Sequence, residues 1–298
     1  TGFIVGIGTG ACSFPVVIVA LGKVVEAKQR SFILGLGTAA ASAGMFAGAP
    51  LATILMDMTG WNVAIFFVAA SFLIILPLLF FISRTSEKPK THREQLHTIK
   101  AIKTAFSDRS YTLLFFGFFV CGFHVQFIQT HLPAYITDEG LAPIIGAWSL
   151  ALIGLFNIGG SFLSGWSGQL YSKPKLLAGI YASRAVVITI FILTPLSEPS
   201  VLVFSAAMGI LWLSTVALTT GLVAQTQGLK FLSTLVGLVF FSHQVGGFLG
   251  AWLGGRLYDI TGNYEAMWIA AILFGLAATI IHLPIKEQPG KLAQAEIN

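Results

Sequence analysis

Polar residues along this chain are confined to short breaks, and between the breaks lie runs of about 20 mostly apolar residues, the length a helix needs to cross a bilayer. Such runs can be placed nine times, at roughly residues 1–22, 31–56, 61–82, 111–136, 144–169, 176–194, 201–223, 232–255 and 264–285. They are continuously apolar and do not alternate with period two, which argues against a membrane β-barrel. The pattern predicts an all-α, polytopic membrane protein. One long polar stretch, residues 83–110, interrupts the series.

The apolar runs also repeat. When the chain is slid 202 positions along itself, residues 28–71 meet the identical residue at 15 of 44 positions without a gap. Composition alone does not explain the match, because it includes Lys28 on Lys230, Asp57 on Asp259, and the spacing Gly35, Gly44, Gly48 on Gly237, Gly246, Gly250. The copies are offset by six runs, an even number, so both have the same orientation, as in transporters built from two parallel repeats with the pathway between them. Six helices per unit predicts a twelve-helix, two-half architecture (6+6). In that frame residues 1–82 are an incomplete first half carrying helices four to six, and 83–110 a linker. Residues 111–285 are then a complete second half and 286–298 a tail, with about three helices expected before Thr1.

Composition agrees: 55% of residues are hydrophobic and 10% charged, with a mean hydropathy of +0.84, against about 25% charge in a soluble domain. Assigning the loops to alternate sides puts 15 of the 17 Lys and Arg on one side; Arg256 falls opposite and Arg184 lies within a run. The positive-inside rule makes the loaded side cytoplasmic, so the linker and the C-terminus are expected inside. The pI of about 9.3 then reflects topology and gives no support for a nucleic-acid partner. The basic linker reads as a solvated segment on anionic headgroups. Cys12 and Cys121 fall inside runs, which suits apolar packing and implies neither a disulfide framework nor a metal pair.

Local motifs place the chain further. In the span at 31–56, Gly44, Gly48 and Pro50 resemble the glycine- and proline-rich motif of the fifth helix of the major facilitator superfamily, although Ala49 separates the Gly and Pro that are usually adjacent. The turn from Asp57 to Gly60 and its copy from Asp259 to Gly262 resemble the outer-loop turns of the monocarboxylate-porter branch and its bacterial relatives. The resemblance implies a monomeric secondary transporter without a cofactor, in a bacterial inner (plasma) membrane. One departure matters: where animal monocarboxylate porters carry an Asp and an Arg four residues apart, alignment on Gly165 puts Asn157 and Ser161. The basic loop motif that follows is reduced to Gly165, Gly168, Lys173 and Lys175.

Four polar residues fall at the midpoints of their spans, the depth at which transporter sites lie: His124, Asn157, Arg184 and His243. A guanidinium at the bilayer centre costs about 2.5–3.5 kcal/mol on insertion scales. Arg184 should therefore face protein, water or an anionic solute. His124, Ile128, His131 and Tyr135 follow steps of four, three and four, which aligns two imidazoles and a phenol on one helix face. His titrates near neutral pH, so His124 and His243 are candidates for proton coupling, with polar packing between helices the competing role. His131, one turn from Pro133, is expected at a gate or helix break. His243 and Gln244 stand where the first copy has Ala41 and Ser42, and Trp212 is a candidate aromatic wall.

These features favour a secondary transporter of a small organic solute, a carboxylate, driven by protons or by exchange. A drug or metabolite exporter on the same fold is the alternative, and a non-transporting sensor or scaffold a third reading. An enzyme is not expected, because no metal-ligand cluster, nucleophile with base, or paired carboxylate stands out.

Overall fold

A computed structural model describes residues 14–71, 73 and 92–297. In chain order the helices are α1 (Phe14–Val24), α2 (Arg30–Thr59), α3 (Trp61–Ser71), α4 (His92–Ser107), α5 (Arg109–Asp138), α6 (Pro143–Leu170), α7 (Lys173–Leu193), α8 (Glu198–Leu211), α9 (Ser214–Gln227), α10 (Leu232–Thr261), α11 (Glu265–His282) and α12 (Lys291–Ile297). Seven segments among the described residues are long and apolar enough to cross a membrane, with Glu198–Gln227 taken as one. The predicted spans 1–22 and 61–82 lie partly outside the described residues; α1 and α3 are their described portions.

Local chemistry sets the helix ends. Pro143, Pro174 and Pro199 occupy first turns, where the missing N–H leaves no bond unmade. Asp108 caps α5 by accepting from the Ser110 N–H at 2.9 Å, and Ser197 and Ser200 form a capping box on α8. The repeat is reproduced in register. The two 30-residue helices α2 and α10 begin and end 202 positions apart, and the glycines that follow them, Gly60 and Gly262, have φ of 80° and 74°. Positive φ is the conformation that glycine alone adopts freely, and it lets the chain turn directly into the next helix.

Helix pairs cross through glycines. α2 meets α6 where Gly35 and Gly165 face each other: a Cβ on either would lie 2.7 Å from the other's Cα. α10 meets α5 through Gly246 and Gly250, pressed on the backbone of Phe119 and Phe123. Small residues permit this approach where lipid supplies no hydrophobic force between helices. The copies differ here, because among the described residues nothing comes within 4 Å of a Cβ at Gly44 or Gly48. Pro50 and Asp57 lie in α2, with side chains outside the described residues; Asp259 is exposed in the last turn of α10. Outward-facing Phe116, Leu163, Val203 and Leu273 are exposed, as expected of a lipid-facing surface.

Three expectations change. The span at 201–223 is not one helix: α8 stops at Leu211 and α9 starts at Ser214, with Trp212 and Leu213 in an irregular step between them. Pro133 does not break α5, which is continuous from Arg109 to Asp138 with His131 in its interior. Within the polar 83–110 stretch, residues 92–107 form α4, which buries Ala101 and Ala105.

Candidate functional site

The break between α8 and α9 lies at the middle of the bundle and leaves backbone groups that a continuous helix would have satisfied. Such groups in hydrocarbon cost several kcal/mol each unless protein or water supplies partners. Both ends have them. Arg184, fully buried on α7, donates from Nε and Nη2 to the Leu211 carbonyl at 3.2 and 2.7 Å, and from Nη2 also to the Trp212 carbonyl. A cation at the carboxyl end of α8 also meets the negative end of its helix dipole. The Ile210 carbonyl accepts from Ser214 Oγ at 2.6 Å. On the far side, the Leu213 N–H donates to Asn157 Oδ1 at 3.0 Å. Trp212 is 1% exposed in this step, a buried packing element of the break.

A polar cluster surrounds the guanidinium. Cys121 Sγ on α5 lies 3.7 Å from Arg184 Nη2 and 3.2 Å from Thr215 Oγ1, so this cysteine, buried in the hydrophobic core as expected, also has polar neighbours. The Tyr181 ring, one turn before Arg184, lies 5.3 Å from the guanidinium carbon, and its hydroxyl is buried near Cys121 and Thr215. His243 reaches the same cysteine from α10. It is half-exposed, packs 5.0 Å from the Phe118 ring, and shares a 3.2 Å contact with the exposed Gln244. Two donors in this cluster have no hydrogen-bond partner: Arg184 Nη1 and the Tyr181 hydroxyl. No carboxylate among the described residues pairs with Arg184.

The helix-seven stripe of the predicted architecture, on α5, is distributed along packed interfaces. His124 is fully buried and its Nε2 lies 2.7 Å from the Ala271 carbonyl; a carbonyl only accepts, so Nε2 carries the proton, and Nδ1 is left without a partner. His131 Nε2 likewise donates to the Ala251 carbonyl at 2.8 Å, and its ring packs on Gly254 and 5.3 Å from Tyr264. The structure thus gathers Arg184, Asn157, Trp212 and His243 around one break, and places His124 and His131 along the α5 packing seam. Tyr181, Cys121 and Thr215 were not singled out as site residues. The readable signal was helical spacing: Tyr181 precedes Arg184 by three, and Cys121 precedes His124 by three.

A break at membrane depth, joined to a duplicated hairpin, is a transporter feature. The family model for the Major Facilitator Superfamily matches residues 1–251. The chain belongs to the Major Facilitator Superfamily. Among its superfamily relatives, an uncharacterised MFS-type transporter, YcxA, of Bacillus subtilis (strain 168) is 28% identical over 182 residues, covering 59% of this chain and 44% of that protein. Monocarboxylate transporter 13 of Rattus norvegicus is 27% identical over 266 residues, covering 86% of this chain and 60% of that protein. The chain therefore spans 44% to 60% of the length of these curated relatives. Among solved structures, the E. coli fucose:proton symporter FucP aligns with a TM-score of 0.68 at 13% identity, over 90% of this chain and 72% of that one. The superfamily fold is thereby shown, and the chain is an integral membrane protein.

Proposed function

We propose that this protein is a secondary transporter of a small organic carboxylate, with Arg184 and Tyr181 as the anion-binding donors. The observation that carries this reading is a membrane-buried guanidinium that holds the break between α8 and α9 with Nε and Nη2 while Nη1 and, in the same cluster, the Tyr181 hydroxyl make no hydrogen bond. A carboxylate has two oxygens to accept from two such donors, and in a low-dielectric site the charge-assisted bonds are the strong ones. The likeness to monocarboxylate transporter 13 supports the substrate class. In liposomes reconstituted with the protein, radiolabelled monocarboxylates should accumulate and compete with one another, and neutral sugars should not. Uptake of bulky apolar compounds with no competition by carboxylates would replace this reading with the exporter.

Coupling to protons falls to His243 more readily than to His124. Both are near the cluster, but His243 is half-exposed and can exchange a proton, whereas His124 is sealed and donates to a backbone carbonyl. The expected result is that His243→Gln abolishes the pH dependence of uptake, since Gln preserves hydrogen bonding without titrating near neutral pH. Unchanged pH dependence in His243→Gln would assign the role elsewhere. The membrane is a bacterial plasma membrane in this reading, and the segregation of cations supports a cytoplasmic side for α4 and α12. A cysteine at position 100, exposed on α4, should resist an impermeant thiol reagent in intact cells; ready labelling would reverse the topology.

A further inference from the structure

Asn157 touches three elements at once. Its Oδ1 accepts from the Leu213 N–H in the break at 3.0 Å and from Ser161 Oγ at 3.1 Å. Its Nδ2 donates to Ser42 Oγ on α2 at 2.7 Å, and Ser42 in turn donates to the Thr38 carbonyl at 2.9 Å. Thr38, Ser42, Asn157 and Ser161 are all fully buried. Both lone pairs of the amide oxygen are used, so the side-chain plane is fixed and Nδ2 is aimed at α2. The two free ends of the break are therefore held from different directions: its carbonyls by Arg184 on α7, and its N–H by an amide whose other end grips the first copy of the repeat.

That bond crosses between segments that otherwise meet through glycine backbone and apolar packing, with the Phe32 and Phe162 rings edge to face at 5.5 Å. About two helical turns further along the α2–α6 contact, Gly35 and Gly165 cross with no side chain between them, and on the other side of Asn157 a Cβ at Gly154 would lie 3.5 Å from the Phe46 backbone. Glycine crossings resist overlap but offer no directional bond, so they allow one helix to swing on the other. A buried amide-to-hydroxyl bond does have a direction. It is made in one relative placement of α2 and α6 and lost in another.

We infer that Asn157 is a positioning residue that couples the break between α8 and α9 to the placement of α2 against α6, so that displacement of Leu213 makes or releases the Ser42 bond. The inference rests on the transporter reading for its purpose, because a break that shifts with an occupied Arg184 then has a direct line to the other repeat. It does not rest on that reading for its test. Site-specific unnatural-amino-acid spin labels at exposed positions 28 and 170, at the adjoining ends of α2 and α6, report the separation of the two helices in ligand-free protein. In the wild type the close separation should dominate. Ser42→Ala, which removes one oxygen and leaves the Leu213 bond in place, should raise the ratio of distant to close pairs about fivefold, the effect of one net hydrogen bond. Asn157→Ala should do the same, and the double variant should add nothing further. Ser161→Ala, which removes a bond that stays within α6, should leave the ratio within about twofold of wild type.

A Ser42→Ala ratio equal to wild type, or effects of the two variants that add, overturns the coupling, and the small Ser42→Ala change keeps the test available if Asn157→Ala does not fold. If Ser42→Ala shifts the ratio while a saturating monocarboxylate shifts it in neither protein, the coupling stands and the anion-site reading falls.

Discussion

Arg184→Lys should give less folded protein, and the molecules that fold should take up monocarboxylates with a KM at least tenfold higher than wild type. The two effects have separate origins. Folding suffers because a single ammonium cannot reproduce the fork that holds the Leu211 and Trp212 carbonyls together. Each carbonyl left buried without a partner costs about 1–3 kcal/mol. The KM rises because lysine spends its charge on those carbonyls and presents nothing equivalent to Nη1; losing one charge-assisted bond of about 1.5–3 kcal/mol corresponds to tenfold or more. Arg184→Gln should lose both more completely. Reconstitution at equal amounts of folded protein, judged by size-exclusion chromatography, separates the two. A normal KM in the surviving Arg184→Lys protein would leave the arginine as a helix pin and remove it from the substrate site.

The fold was open to reading because a bilayer simplifies the code. Length and apolarity mark each span, and the 202-residue offset places Gly60 and Gly262 at the ends of equivalent helices. The depth of His124, Asn157, Arg184 and His243 was readable by the same simple geometry. What the partners would be was not. Nothing in the run from Gly209 through Leu211, Trp212 and Leu213 to Ser214 marks a break: no proline interrupts it, and its side chains are as apolar as those of the continuous helices. The break is held from outside, by Arg184 and Asn157, so the signal sits in two other helices whose packing had to be known first. The opposite error has the same cause. Pro133 reads as a helix breaker, yet α5 absorbs it, because its neighbours Leu132 and Ile136 are fully buried against the surrounding helices and hold the turn in place. Tyr181 and Cys121 were missed because both residue types are ordinary in an apolar helix, and only their proximity to Arg184 gives them a polar role.

Gly160→Ala should destroy the break geometry, and Gly159→Ala should not. The two positions adjoin on α6 but point differently: a Cβ at Gly160 would overlap the Ile210 carbonyl, with the Ile210 carbonyl carbon and Cα only 2.6 and 2.7 Å away, while a Cβ at Gly159 meets nothing within 4 Å. The obstacle at Gly160 is backbone, so no rotamer change relieves it, and α8 must move away from α6. Overpacking of this kind costs about 1–3 kcal/mol, more where the neighbour cannot relax. Here the displaced residue is the one whose carbonyl receives Ser214, one position before the carbonyls that Arg184 holds. A shift of α8 by even a few tenths of an ångström therefore loosens three sets of bonds together. Gly159→Ala removes only the backbone freedom of glycine, which is neutral or favourable by up to ~1 kcal/mol in a helix. Thermal unfolding of the detergent-solubilised protein should show a clear loss for Gly160→Ala, with carboxylate uptake lost in whatever folds, and no loss for Gly159→Ala. Equal behaviour of the two variants would mean that α6 and α8 do not meet through Gly160, and the placement of the break against Asn157 would fall with it.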